Sequence, residues 1–194
     1  MAENDDAVLT AAVGYVYVGP VGTDAPTPAA LKTLNLSAPS GWTATGWQSV
    51  GHTSRGTLPE FGFEGGDTEV KGSWQRKKLR EVQTEDPVDY LTVVLHQFDD
   101  QALGLYYGEN ASTTEGIFAY SGSSADVEKA GFIAIEDGDL RLGFHFHKAS
   151  IRRDDAIELP IDDFASLPVR FTFLNHNSEP LFTWRNEDLF NPVP

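Results

Sequence analysis

The sequence predicts a mainly β domain, a sandwich or barrel with one short packing α-helix and long extended loops. Apolar side chains alternate through residues 90–98 with the two-residue period of a strand, and both faces are apolar enough to be covered. Residues 129–151 give the strongest hairpin pattern, with Asp137 and Gly138 suited to a type I′ turn at its tip. Segment 99–108 has instead the spacing of a short amphipathic helix, with an aspartate to cap its start and a glycine to end it.

The chain is predicted to be one domain, residues 1–194, because no internal repeat or change of composition divides it. A domain of this length buries roughly 70% of its unfolded surface. The chain has no cysteine, which excludes disulfides, thiolate metal sites and a cysteine nucleophile. The fold must therefore depend on packing and assembly.

The first strand is predicted at residues 12–18. Residues 20–45 then form a predicted loop or arm, rich in proline, alanine, serine, threonine and glycine, with one helical turn at 28–32. A loop of this length in a compact domain calls for a function or a partner, and the alternative is a disordered surface loop. Short strands at 46–52 and 58–64 follow, and the second leads into a glycine-rich turn.

The extended segment 65–88 contains a basic cluster, although the whole chain carries a formal charge of -15. Five of the 14 lysine and arginine residues lie close together, at Lys71, Arg76, Lys77, Lys78 and Arg80. Such a cluster suggests contact with an acidic surface, and the nearest abundant one is another copy of the same chain. The alternative is a strand edge that charge protects from aggregation. Because no flexible spacer separates this segment from the strand and helix that follow, the three are predicted to form one unit.

The second half of the chain is predicted to be mostly strand. Beyond Phe146 the apolar positions change phase to Ala149 and Ile151, which predicts a β-bulge in the second strand of the hairpin. Four further elements are predicted: a strand at 116–120, a helical turn at 162–166, a strand at 169–174 and a last strand within 180–190.

The sequence offers no catalytic constellation and no cofactor motif. Paired carboxylates such as Asp162 and Asp163 are expected by chance among 29 acidic residues, and there is neither a phosphate-binding glycine loop nor a nucleophile elbow. His145 and His147 lie on one face of a predicted strand with a spacing that can bind zinc or copper, but no further ligands complete a site. We therefore expect these histidines to face solvent or an interface, and the protein not to be an enzyme.

The tryptophans Trp42, Trp47 and Trp74 allow two interpretations. A sugar-stacking platform built from Trp42, Trp47 and nearby tyrosines would make the chain a carbohydrate- or surface-binding β-sandwich module. Tryptophans spread through strands are, however, more often core or interface residues.

The acidic composition, with a pI near 4.5, argues against a protein that grips nucleic acid, because phosphate contacts need lysine and arginine. It suits a passage whose lining repels DNA, and solubility alone is an equally good explanation of an acidic chain. The amino terminus lacks the pattern of a signal peptide, and no apolar run approaches the ~20 residues that cross a bilayer. These features predict assembly in a cytoplasm and no residence in a membrane.

Five motifs follow one another along the chain: Gly46 to Gly56, Trp74-Gln75, Leu79-Arg80-Glu81, Leu105-Tyr106-Tyr107-Gly108, and Ala156 to Leu174. In their order and spacing the chain resembles the major tail subunit, or tail tube protein, of long-tailed, non-contractile bacteriophages, most closely that of mycobacteriophages. The resemblance extends over nearly the whole chain.

The resemblance implies a tail-tube-type fold whose subunits form hexameric rings, and rings that stack into the tube through which the genome leaves the virion. It implies a tape measure protein, a tail terminator and tail-tip proteins as partners, DNA that passes without specific binding, and an arm at 20–45 that lies over a neighbouring subunit. We expect no immunoglobulin-like domain of the kind that some tail subunits add at the carboxyl end. On this interpretation we expect the subunit or ring contacts to include Lys71, Trp74, Arg76, Lys77, Lys78 and Arg80.

Overall fold

One curled antiparallel sheet of eight strands organises the computed structural model, which describes residues 3–4, 7–42, 46–122 and 127–190. The strands are β1 (Val13–Gly19), β2 (Gln48–Ser49), β3 (Glu60–Glu64), β4 (Thr68–Lys71), β5 (Arg80–Gln83), β6 (Val88–Leu95), β7 (Val127–Asp137), β8 (Leu140–Arg153), β9 (Leu167–Phe173) and β10 (Thr183–Arg185). The order is β2-β1-β7-β8-β9-β6-β3, with β10 also paired to β8 and with β4 and β5 forming a sheet of their own. The mainly β prediction is confirmed.

The predicted hairpin is the β7–β8 pair, but its turn differs from the prediction. Asp137 pairs with Leu140, so Gly138 and Asp139 form the two-residue loop, one position later than expected. Gly138 has a positive φ of 58°, whereas the φ of Asp139 is not positive. Positive φ at the first loop position alone is the pattern of a type II′ turn, which requires glycine there and tolerates aspartate next.

The predicted β-bulge is confirmed in β8. Pairing passes from Lys129 with Ala149 to Gly131 with Phe146, so β8 contains one residue more than β7 between these two pairs. The bulge lies where β8 changes its second neighbour, from β10 before it to β9 after it. The extra residue returns Ala149 to the buried face.

The inner face of the sheet carries the larger core cluster, and α2 (Asp100–Tyr107) packs on it. The alternation predicted for β6 places Leu91, Val93 and Leu95 in this cluster. As predicted, α2 is capped at its start, where the Ala102 N–H donates to Asp99 Oδ1 at 2.8 Å. Gly108, at φ 98°, ends the helix.

The outer face is covered by segment 20–42, which includes the predicted helical turn as α1 (Pro28–Leu31). Leu31, Leu36 and Trp42 of this segment are buried against Tyr17 and Phe132 of the sheet. The Tyr17 hydroxyl donates to the Leu36 carbonyl. The segment is therefore fastened to its own subunit, because its few large apolar side chains remove enough surface from water to hold it there. Residues 43–45 of the loop predicted at 20–45 lie outside the described residues.

Two of the smaller elements were predicted wrongly. Residues 116–120 form no strand, because the Asn110 side chain satisfies their backbone: its amide donates to the Ile117 carbonyl at 3.0 Å and its oxygen accepts from the Ala119 N–H at 2.9 Å. Residues 162–166 form bends within a loop closed by a bridge between Glu158 and Ser166.

Candidate assembly surfaces

The basic segment folds as a projecting β-hairpin of residues 68–83. This hairpin is called the arm from here on, and it is distinct from the loop or arm predicted at 20–45. Strands β4 and β5 pair with each other from Thr68–Gln83 to Lys71–Arg80, outside the main sheet. All of their side chains are exposed except that of Val82, which is half-buried. The prediction that this segment forms one unit with the following strand and helix is therefore wrong.

The apex of the arm is an ordered turn with Trp74 and Gln75 at its tip. The Ser73 N–H donates to the Arg76 carbonyl at 2.7 Å, and the Arg76 N–H donates to the Ser73 carbonyl at 3.1 Å. A side chain at Gly72 would bring its Cβ to 2.4 Å from the Lys77 carbonyl oxygen, so glycine lets the two sides approach. Trp74 is 100% exposed.

The apex carries the whole basic cluster. Five cations and no acidic residue lie in positions 71–80, so the remainder of the chain has a formal charge of -15 - 5 = -20. Lys71 lies 3.6 Å from Glu69, an exposed pair worth little. The other four cations, at Arg76, Lys77, Lys78 and Arg80, make no salt bridge to the part of the chain that the structure describes. All six predicted contact residues thus lie on the arm, and the partner they contact stays a prediction.

The root of the arm has the opposite charge. Residues 60–67, which lead into β4, carry three acidic side chains and no basic one, and residues 85–89, which follow β5, carry three more. The two stretches lie together, because β3 pairs with β6 and the Thr84 N–H donates to the Asp67 carbonyl at 2.8 Å. Arg170 from β9 neutralises part of this charge through Glu64, at 2.8 Å. The pKa of the Glu64 carboxyl is accordingly lowered.

An apolar groove, here called the aromatic groove, opens beside this root. Phe61 and Phe63 of β3 form one wall, and Phe182 and Trp184 form the other. Phe61 reaches across the curled sheet to Trp184, with ring centroids 5.2 Å apart, and Asp89 lies at the rim. The groove has a volume of about 170 Å³. Sequence reasoning missed it, because its two walls come from opposite ends of the chain.

Within the described residues, the unpaired edges of the main sheet include those of β3 and of part of β1. Strand β3 ends the sheet order, and β2 pairs with positions Tyr17 and Val18 of β1, leaving the first half of β1 open. Open edges present free N–H and C=O groups that bind further strands.

His145 and His147 are both buried, so the expectation that they face solvent or an interface is wrong. The His145 Nε2 lies 2.9 Å from the Thr23 carbonyl oxygen, and burial lowers the pKa of this imidazole to about 4. Their faces are closed by segment 20–42, here called the covering segment, whose Asp24 Oδ1 lies 3.7 Å from the His147 Nε2. No cluster of three potential metal ligands occurs among the residues that the structure describes.

The tryptophan platform is wrong too, because Trp42 and Trp47 are only 5% and 4% exposed. The Trp47 indole N–H donates to the Asp24 carbonyl at 3.0 Å, so this ring anchors the covering segment. In the described part of the chain, no helix has the length and apolar character needed to span a membrane.

Comparison with known proteins gives two consistent results. The family model for the phage tail tube protein matches residues 1–194. The major tail protein Gp23 of Mycobacterium phage L5 is 72% identical over 192 residues, covering 98% of this chain and 96% of the relative. The protein of the same name from Mycobacterium phage D29 is 72% identical over 195 residues, covering 100% and 98%.

Proposed function

The chain belongs to the phage tail tube protein family and is a structural subunit of a phage tail, and we propose that its copies form hexameric rings that stack into the tail tube. The tube conducts the genome during delivery, and DNA passes through it without specific binding. Assembly takes place in the host cytoplasm, with a tape measure protein, a tail terminator and tail-tip proteins as further partners.

The arm is the observation that carries this proposal. An isolated two-stranded hairpin is marginally stable in water, and this one leaves Val70, Trp74 and Leu79 exposed. Contact with another subunit would bury these side chains and hold the strands together. We therefore assign Lys71, Trp74, Arg76, Lys77, Lys78 and Arg80 to contacts between subunits or rings.

The open edges of β1 and β3 support the same proposal. If strands of neighbouring subunits pair at these edges, the sheets join into a continuous barrel and no edge remains exposed. Ring closure removes the edges within a ring, and stacking of rings is the head-to-tail contact that grows a filament.

The charge distribution limits the conditions of assembly. Six copies carry a formal charge of 6 × -15 = -90, which opposes ring formation at low salt. Salt screens charges separated by more than about 10 Å at 0.1 M, so tube formation should depend on ionic strength. Basic arms placed on acidic neighbours would offset part of the repulsion, and an acidic lumen would keep DNA from sticking.

Electron microscopy of the purified protein tests the proposal, with rings or hollow tubes as the expected result. Reversing Arg76, Lys77 and Lys78 together to glutamate should abolish tubes while the circular dichroism of the subunit is unchanged, because these side chains are exposed and make no salt bridge to the described part of their own subunit.

A matched control changes the formal charge by the same amount elsewhere. Arg55, Arg152 and Arg153 are exposed and lie outside the arm. Their triple reversal should leave tubes intact. Normal tubes from the arm variant, or equal loss in both, would refute the assignment of the arm.

A further inference from the structure

The arm and the aromatic groove have complementary properties, and from them we propose that the Trp74 apex of one subunit docks in the aromatic groove of a second copy. This inference rests on the proposed function and deepens it, because it names the surface that receives the arm.

The first argument is the chemistry of the two surfaces. Trp74 presents a complete indole ring to water on an ordered turn, whereas Phe63 at the groove mouth is 69% exposed. A cavity of about 150 Å³ lined by apolar side chains binds benzene, so a groove of about 170 Å³ can receive one aromatic ring. Aromatic rings gain further when they meet other rings edge-on or offset. Interface hot spots are enriched in tryptophan and lie in well-packed, fully desolvated pockets.

The second argument is charge. Arg76, Lys77 and Lys78 follow Trp74 at the apex, with Lys71 and Arg80 in the adjoining strand ends. The stretches that flank the groove carry six acidic residues, of which Glu64 is paired with Arg170; they are Glu60, Glu64, Asp67, Glu85, Asp86 and Asp89. With the ring in the groove, the basic positions 76–78 would meet this acidic root. Complementary charge of this kind directs the encounter and fixes its orientation.

The third argument identifies the occupant as a second copy. The groove lies at the root of the arm, and about six extended residues of roughly 3.3 Å each separate Thr68 from Trp74, so the apex stands ~20 Å away. The cross-strand bonds of the arm prevent it from folding back on itself. An apex therefore cannot fill the groove at its own root.

The fourth argument is that the groove is formed in advance. The Tyr90 ring occupies the space where Gly62 lacks a side chain, since a Cβ there would lie 2.5 Å from it. The Arg170 guanidinium lies 3.6 Å from the centre of the same ring, on which it stacks. Little conformational entropy is then lost when the partner binds.

The Trp74 apex (the plug) and the groove are different surfaces, so the contact between them is heterologous and can continue from copy to copy as a ring or as a filament. Each copy offers one of each, so docking links copies head to tail. The chain contains no cysteine, which makes disulfide trapping a clean test. The variant with Gln75→Cys and Asp89→Cys places thiols beside the plug and at the groove rim. After mild oxidation of assembled protein, it should give a ladder of covalent multimers, whereas each single variant should give dimers at most.

Two controls make the test specific. The pair Gln75→Cys and Ile161→Cys carries the same number of thiols, with Ile161 104% exposed on a distant loop, and should give no ladder. Adding Trp74→Ala to the first pair should reduce the multimers about tenfold or more, and Trp74→Phe should largely preserve them.

The outcomes separate this inference from the proposed function. A ladder that depends on Trp74 and is specific to Asp89 supports docking. Tubes without a ladder, a monomer with an internal disulfide, or an equal ladder from the Ile161 pair would overturn the docking and leave the tail tube intact. Absence of rings and tubes from the unmodified protein would instead count against the proposed function.

Discussion

Acid should destabilise the subunit through His145, whose ring has no exposed surface. Burial lowers its pKa from 6.5 to about 4, with Thr23 as its hydrogen-bond partner. The charged or titratable groups that face it are His147 on the same strand, Arg185 on β10 and Asp24 on the covering segment. The folded state therefore keeps this imidazole neutral at a pH where the unfolded chain already binds a proton.

The sign and size follow from proton linkage. The stabilising effect of the neutral imidazole is complete above the unfolded pKa of 6.5 and is lost as the pH falls towards 4. A shift of about 2.5 pH units corresponds to about 3 kcal/mol in full, and to about 2 kcal/mol at pH 5. Urea unfolding at about pH 7.5 and about pH 5, below the concentration of assembly, measures this difference.

A variant that cannot titrate isolates the effect from that of the carboxylates. Glutamine at position 145 can still donate to the Thr23 carbonyl, so His145→Gln should lose about 2 kcal/mol less than the unmodified chain between the two pH values. His52→Gln, which removes an exposed imidazole, should keep the acid sensitivity of the unmodified chain. If His145→Gln and the unmodified chain lose stability equally, the assignment to the buried ring is refuted.

Four substitutions test the packing and the cap of α2. Gly104 lies inside α2 with open space where a Cβ would stand, so Gly104→Ala should raise the free energy of unfolding by about 1 kcal/mol. Gly131→Ala should instead lower the free energy of unfolding by about 1–3 kcal/mol, because the new Cβ would lie 2.0 Å from the Phe146 ring. Chemical denaturation measures both changes. Asp99→Ala removes the cap of α2 and should lower the free energy of unfolding by about 1 kcal/mol in the same assay. Leu31→Ala leaves a cavity under the covering segment and should lower it by about 2–5 kcal/mol, with faster amide exchange concentrated in residues 20–42.

Gly104→Ala and Asp99→Ala each have a control in the chain. Gly122, which has open space around it but a φ of 82°, should not gain from alanine as Gly104 does. Asp162→Ala, at an exposed position in a loop, should be nearly neutral. Equal effects from Asp99→Ala and Asp162→Ala would contradict the capping argument, and uniform exchange in Leu31→Ala would contradict local anchoring.

The sequence predicted best what neighbouring residues determine. The alternation in β6, the caps of α2 and the bulge after Phe146 are local patterns, and the structure contains all three. The arm was recognised as extended and basic but not as a hairpin, because its strands lack an apolar face and its turn has no Asn-Gly or Asp-Gly pair.

Burial on the outer face and the aromatic groove could not be predicted, because both depend on contacts between distant parts of the chain. His145 looked exposed because nothing near it indicates that segment 20–42 returns to cover that side of the sheet. Phe61 and Trp184 likewise meet only after β3 curls towards β10. The alternation of apolar residues along a strand does not show which face of the sheet a distant segment covers.

The arm joins the rest of the subunit through two short connections, 65–67 and 84–87, and none of its side chains enters either core cluster. Under the proposed function, substitutions in the arm therefore change the adhesion between copies without a penalty in folding. Through them a phage lineage can alter how firmly its tail subunits hold together, and a peptide can be grafted at the tip while the rest of the subunit folds as before.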